Sequence, residues 1–403
     1  MKTIVSLLSA VLLFGIVGCA EEPKPEEPEY SRPLPPGELA LRKIENPEQI
    51  PDFTKAFTDL GPLREATMRS LNYLAKPSSK TRYPYGAISH DHVVASLNAF
   101  RELLDSGMTP RQMNAVIRNK FDVYTSVGWN GEGVVLFTGY YTPIFEASSV
   151  ETAEFRYPLY RAPDNLVKEP DGTVLGRRLP NGAIESFPTR AQIEGSGILA
   201  GSELVWLKDP FEVYVAHVQG SALLRMPGGN LVTVGYTASN GHDYRSVAEA
   251  LIDDGRIPRD EISLARMIAF FDAHPDMVDD YVNRNPRFIF FGKTEGAPRG
   301  SINEPVTPMH TIATDKEVYP VGALAYYKAD LPMKEGRQVV FEPVSGFALD
   351  QDTGGAIRAP GRCDVYIGIG ENAGERAGRI KQEGRLYYIF LKLGELEAAG
   401  AID

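Results

Sequence analysis

The sequence predicts an α+β protein, mainly β with helices, whose C-terminal part is a β-barrel core. Three observations carry this. Apolar residues at helical spacing make the first folded stretch, about 39–136, read as mostly helical. From Val134 onward, short apolar runs alternate with Gly/Pro turn signals. From Thr311 to Lys392 the pattern is almost pure β punctuated by glycine. At 403 residues and 43% hydrophobic, the chain can fill one large core or two medium ones.

The first elements are not part of that fold. Lys2 supplies a positive start, and Ile4 to Val17 is an apolar run too short to span a bilayer comfortably as a permanent helix. It ends in Ile16-Val17-Gly18-Cys19. Small residues before a cysteine resemble a bacterial lipobox, with Ile16 in place of the more usual Leu. The resemblance implies a signal peptide over 1–18, cleavage before Cys19 and diacylation of its thiol. Ala20 after the cysteine implies outer-membrane sorting. The alternative is an ordinary signal peptide with an incidental Cys. Glu21 to Glu38 is rich in Pro and Glu and cannot bury apolar surface, so 19–38 reads as an extended tether.

Leu60 to Ala75 carries apolar residues at helical spacing. Ser89 reads as the N-cap of a helix through Leu104, closed by Gly107, and Thr109-Pro110 opens another. Val134 to Pro143 is a β run into a turn. Turn signals follow at Pro170-Asp171-Gly172, Pro180-Asn181-Gly182 and Pro227-Gly228-Gly229. Val213 to Val218 reads as the clearest strand of this region. Helices are expected over Tyr244–Asp254, Glu261–Ala273 and Pro275–Asn283, then a buried strand at Arg287–Gly292. Gly292 to Val306 is Gly/Pro-rich and reads as a crossing linker.

Composition excludes several functions. Net charge is −11 and no Lys/Arg run interleaves with aromatics, so nucleic acid is not an expected partner. Once Cys19 is acylated, Cys363 has no disulfide partner, and it reads as a small buried residue. The six histidines show no metal-ligand spacing, so no metal and no cofactor are expected. Gly368-x-Gly370-x-x-x-Gly374 fails the dinucleotide fingerprint. Asp352-Thr353-Gly354 spells an aspartic-protease triplet, but its only echo, Asp105-Ser106-Gly107, closes a helix.

Three aspartates remain at strand ends or turns of the C-terminal β region: Asp315, Asp352 and Asp364. Gly354 and Gly355 permit close backbone approach beside Asp352. Carboxylates sharing a cleft push at least one pKa upward, as an acid catalyst near neutral pH requires. Taken singly, each is as readily a turn former. As a set they resemble the three-aspartate domain of the MltA family of lytic transglycosylases. The matching stretches are Ala313-Thr314-Asp315 with Pro320-Val321-Gly322, then Asp352 to Ile357, then Asp364 to Gly370, with Ala373-Gly374 and Ala377-Gly378. Upstream, Phe137 to Pro143, Val218 to Ser221 and Gly235 to Arg245 resemble that family's other signatures. The resemblance covers most of the chain from Phe137 to Leu393. The loop Arg358 to Cys363 is slightly longer than the family's form.

The resemblance implies two β-barrel domains with a groove between them. One is a double-psi barrel formed by 39–138 plus 293–403, and the other is an inserted barrel over 139–292. It implies that Asp364 is the catalytic acid, with Asp352 and Asp315 tuning its pKa or holding loops. It implies peptidoglycan glycan strands as substrate, cleaved at the MurNAc-β-1,4-GlcNAc bond with the C6 hydroxyl of MurNAc as nucleophile, leaving 1,6-anhydro ends. The chain would be a monomer held to the membrane by lipid on Cys19, facing the periplasm. Tyr140, Tyr141, Gln219, Ser221, Asn240, His242 and Tyr244 are groove candidates, because amides, hydroxyls and aromatic faces bind sugars. The alternative, that the tyrosines are strand core and Asn240-Gly241 a turn, stands beside this one. So do a non-catalytic glycan-binding lipoprotein and a hydrolase with a different product.

Overall fold

In a computed structural model, residues 28–169, 172–335 and 338–398 are described. The leader, Cys19, the start of the tether and the Pro170-Asp171 pair lie outside the described residues. No helix among the described residues is long and apolar enough to cross a membrane.

The N-terminal helices form where caps and apolar spacing agree. Leu60–Leu74 buries Leu63, Ala66, Thr67, Ser70 and Leu74. In His90–Asp105 the Ser89 side chain accepts from the His92 amide, and Pro110–Lys120 begins with a Thr109/Gln112 capping box. The expected helices are therefore present. Two strands were not expected here, Leu41–Lys43 and Phe121–Ser126, which pair with each other.

The C-terminal strands close on themselves. Lys381–Leu391, Leu324–Glu335, Gln338–Asp352, Thr311–Ala313, Arg362–Ile369 and Val135–Thr142 run side by side, and the last pairs back to the first. The pairings Thr311–Ala313 with Gln338–Asp352 and Arg362–Ile369 with Val135–Thr142 are parallel; the others are antiparallel. Phe137, Ile312, Ala325, Cys363, Val365, Leu386 and Tyr388 belong to one buried core with the N-terminal helices. Cys363 is fully buried, as expected.

Residues between these strands build a six-stranded sheet in the order Ile289–Thr294, Leu231–Ser239, Ser221–Arg225, Ile144–Ser148, Glu203–Leu207 and Tyr157–Tyr160. Its first and last strands touch, which curls the sheet toward closure. A small sheet of Leu166–Lys168, Val174–Arg178 and Ile184–Glu185 lies beside it.

Val213 to Val218 is not a strand. It belongs to the helix Pro210–Gln219, which starts with Asp209 as side-chain N-cap and Pro210 in the first turn, and ends at Gly220 with φ 72°. Phe211, Tyr214 and Val215 pack into one apolar cluster, and Val213 and Ala216 into another. A helix buried on nearly all sides has no polar stripe to betray its period. The region after Thr311 also contains a helix that was not expected, Glu371–Ala377. Its Gly374 lies against the Tyr141 ring, where a Cβ would sit 2.8 Å from ring carbons.

The later helices start further along than expected, at Val247 and Leu264, because Ser246 and Ser263 cap them. The Pro275–Asn283 segment splits into a 3-10 turn, Pro275–Met277, and the short helix Val278–Val282. The buried strand runs Ile289–Thr294 rather than from Arg287.

Candidate active site

Strand register brings two of the three aspartates together. Ala313 pairs with Asp352 on one side and with Asp364 on the other, and Asp364 pairs with Thr138. Residues in lateral register share a face of a sheet, so Asp352, Ala313, Asp364 and Thr138 form one row. Two residues further along their strands, Tyr366 pairs with Tyr140 on the same face, with ring centroids 5.1 Å apart.

The opposite face fills the barrel. A register shift at Gln351 lets Asp350 pair with Ile312 while Asp352 pairs with Ala313, so these two carboxylates leave the strand on opposite faces.

The two aspartates of the row differ in their bonding. Asp352 is bonded at both oxygens: Oδ2 accepts from the Tyr140 hydroxyl at 2.8 Å, and Oδ1 accepts from the amides of Ser301 at 2.9 Å and Thr353 at 2.8 Å. Burial still raises its pKa, against the opposing effects of those donors and of Lys316. Oδ1 of Asp364 is buried with no hydrogen-bond partner. Burial pushes the Asp364 carboxyl up to about 6; Arg362 opposes this and the Asp352 charge adds to it. Arg362 also donates to the Thr138 hydroxyl at 3.4 Å.

Asp315 is elsewhere employed. Its Oδ1 accepts from the Glu317 amide at 3.0 Å and its Oδ2 from the Ala359 amide at 2.7 Å. It therefore clamps the loop that joins Asp352 to Asp364, where Ala359 has a φ of 63°.

The turn at Gly220 delivers two candidates to the row's edge. Gln219 Oε1 accepts from the Tyr141 amide at 3.1 Å, and the Ser221 hydroxyl lies 3.4 Å from that of Thr142. Thr142 in turn meets the Tyr366 hydroxyl at 3.0 Å. Burial pushes the Tyr366 phenol up to about 12, so it stays a proton donor at neutral pH. Tyr141 itself is core, packed on Gly374.

Asn240 and His242 are not brought to the row. Asn240 is 2% exposed; its amide donates to the carbonyls of Pro188 and Pro286 and accepts from the Phe288 amide. His242 is hydrogen-bonded through Nε2 to the Phe187 carbonyl at 2.7 Å. Tyr244 comes near the barrel through its Cβ, which with Arg287 lies against Gly355, three residues past Asp352, where an added Cβ would stand 3.2 Å from Arg287 Nε; its hydroxyl lies 3.4 Å from that of Tyr214. The half-exposed Tyr236 adds an aromatic face near Arg287.

Ser301, Arg362, Tyr366 and Arg287 were not singled out by sequence. Tyr366 had a signal, since the Asp-x-Tyr spacing places it on the face of Asp364. Ser301 had none, because it sits in the linker and reaches Asp352 through its backbone amide, a group nearly every residue carries. Among the described residues no three His, Cys, Asp or Glu side chains converge as a metal site requires.

Residues 136–292 match the family described as MltA specific insert domain, and residues 310–390 match the 3D domain. The membrane-bound lytic murein transglycosylase A of Escherichia coli K12 is 30% identical over 296 residues, 72% of this chain and 74% of that protein. The Vibrio cholerae protein of the same name is 26% identical over 405 residues, covering 100% of this chain and 98% of its own. A crystal structure of a membrane-bound lytic murein transglycosylase from Agrobacterium tumefaciens has a TM-score of 0.74 at 26% identity, covering 90% of this chain and 100% of that one. E. coli MltA with bound chitohexaose has a TM-score of 0.67 at 25% identity, covering 91% of this chain and 96% of that one.

Proposed function

This chain belongs to the MltA family and is a peptidoglycan lytic transglycosylase of the cell envelope; within that reaction we propose that Asp364 alone transfers the protons. Asp364 begins protonated and donates to the glycosidic oxygen as the MurNAc C1–O bond breaks. The leaving GlcNAc departs with a free 4-hydroxyl. The Asp364 carboxylate then takes the proton of the MurNAc C6 hydroxyl as O6 bonds to C1. A 1,6-anhydro ring forms, the acid is regenerated and no water is consumed.

One observation carries this reading: of the two carboxylates in the row, only Asp364 has a buried oxygen with no partner. A hydrolase needs a second carboxylate free to activate water or trap the sugar. Asp352 is already bonded by three donors, so its role is to hold Tyr140 and Ser301 and to raise the proton affinity of Asp364. With a pKa of about 6, roughly a tenth of Asp364 is protonated at pH 7, enough for an acid catalyst. Asp315 holds the connecting loop.

The glycan strand would lie between the Asp352–Asp364 row and the wall formed by Tyr236, Tyr244 and Arg287. The chitohexaose bound to the E. coli relative supports an extended sugar chain as the ligand. Two domains belong to the same proposal: 39–138 with 293–403 as a double-psi barrel, and 139–292 inserted. So do a lipid on Cys19, an outer-membrane place facing the periplasm, and a monomeric state. The lipobox-like sequence and the Pro/Glu tether support the anchor.

Mass spectrometry of murein digested by the protein tests the reading. Anhydro ends are expected. Reducing ends would indicate a hydrolase, and an absence of products a glycan binder.

A further inference from the structure

Behind the catalytic row, on the barrel's inner face, lies a pair of opposite charges that the reaction does not use. Asp350 is 0% exposed and the Lys316 side chain 9%. Lys316 Nζ bonds Asp350 Oδ1 and lies 3.3 Å from the Thr314 hydroxyl. That hydroxyl donates to the Asp350 carboxylate, 2.9 Å from Oδ1 and 2.8 Å from Oδ2, and Oδ2 also accepts from the Tyr388 hydroxyl at 2.7 Å. A buried ion pair seldom earns its place by stability, because desolvating two charges offsets most of their attraction. A fully satisfied polar network does fix geometry.

The network reaches both ends of the loop that joins the two aspartates. Thr314 donates its amide to the Asp352 carbonyl at 3.1 Å and accepts at its carbonyl from the Thr353 hydroxyl at 2.9 Å. At the other side, Tyr388 stacks on Tyr319 with centroids 5.3 Å apart and planes 12° off parallel. The Tyr319 hydroxyl donates to the Pro360 carbonyl at 2.8 Å, just before the Asp364 strand. The pair is thus tied to the start of the loop through Thr314 and to its end through Tyr388 and Tyr319.

We propose that Lys316 and Asp350 are positioning residues: by fixing Thr314 and Tyr388 they hold Asp352 and Asp364 at their working separation. This rests on the reading of Asp364 as the acid. The Lys316 charge is also felt at Asp352, where it favours the carboxylate that Tyr140 and Ser301 bind.

The test uses the full chain carrying Lys316→Met together with Asp350→Asn, which removes both charges and leaves none buried alone. The expected result is a fall in kcat on murein of at least tenfold, KM within threefold, chitohexaose affinity within twofold, and a displaced descending limb of the pH profile. A folded double variant with parental kcat and an unmoved pH profile would overturn the proposal. If the double variant does not fold, Thr314→Val removes the linking hydroxyl and keeps both charges; about a fivefold loss of kcat is expected. Parental kcat and pH profile in that variant would equally overturn it. Asp364→Asn, run alongside, keeps the two readings separate: activity there would sink the acid assignment, whatever the outcome at Lys316 and Asp350.

Discussion

Asp352 and Asp364 stand in one row of the barrel, each paired with Ala313, yet Asp352 has both oxygens hydrogen-bonded while Asp364 keeps a buried oxygen without a partner. Neighbouring strands are spaced about 4.8 Å apart, so the two backbones lie about 10 Å apart across Ala313. Two chemically identical side chains thereby receive different surroundings, which is what the proposed division of tasks rests on.

The first consequence is a pH dependence. On the proposal that Asp364 is the acid, it must be protonated in the free enzyme, and burial pushes its pKa up to about 6. kcat/KM should therefore fall about tenfold per pH unit above 6. A plateau reaching beyond pH 8 would contradict this.

The same carboxyl makes folding pH-dependent. Its pKa rises from 3.8 in the unfolded chain to about 6 in the fold. The ionised form therefore costs stability above pH 6, and the cost disappears below pH 3.8, where both states are protonated. Asp364→Asn should stabilise the protein by about 2 kcal/mol at pH 8, discounted for partial exposure, and by nothing near pH 4. Denaturant melts at the two pH values measure it. Equal stability of both proteins at pH 8 would argue against the buried acid.

Tyr140→Phe removes the hydroxyl that donates to Asp352 Oδ2. The phenol stabilises the Asp352 carboxylate, so its loss should raise that pKa further. kcat should drop about tenfold, corresponding to about 1.4 kcal/mol, with little change in KM. Steady-state kinetics on murein give the split.

Gly300→Ala addresses the linker. A Cβ there would lie 2.6 Å from the Gln351 carbonyl oxygen and 3.2 Å from Asp352 Cγ, so the segment carrying the Ser301 amide must shift. Turnover should fall about tenfold while chitohexaose affinity holds. Unchanged turnover would show that the Ser301–Asp352 bond is dispensable.

Asn240→Ala separates architecture from chemistry. It leaves the Phe288 amide and the Pro188 carbonyl unpaired in a buried place, while the Pro286 carbonyl keeps the Arg190 amide at 3.0 Å. Stability should fall by about 2–4 kcal/mol, with chitohexaose affinity of the folded protein unchanged.

Much of this was legible in the sequence, for identifiable reasons. Ser89 and Thr109 announced their helices because capping is a local matter of one side chain and one amide. Asp352 and Asp364 stood out as candidates because their motifs are contiguous, and strand register places them in one row. Val213 to Val218 misled because burial on nearly all sides erases the helical stripe, leaving a β-branched run that looks like a strand. Glu371–Ala377 was passed over because Ala and Gly carry little periodicity, although its smallness is what lets Tyr141 pack against it. Asn240 and His242 looked like sugar ligands because the same groups that bind glycans also satisfy backbone groups of the fold. Lys316 and Asp350 could not be paired from sequence, since 34 residues and a register shift separate them.

The most direct test is to digest purified murein with Asp364→Asn beside the parent and to analyse the ends by mass spectrometry. The parent should yield 1,6-anhydro ends, and the variant none, while the variant still binds chitohexaose with parental affinity. Anhydro ends from the variant, at more than about a hundredth of the parental rate, would contradict the assignment of Asp364 as the acid and base of the reaction.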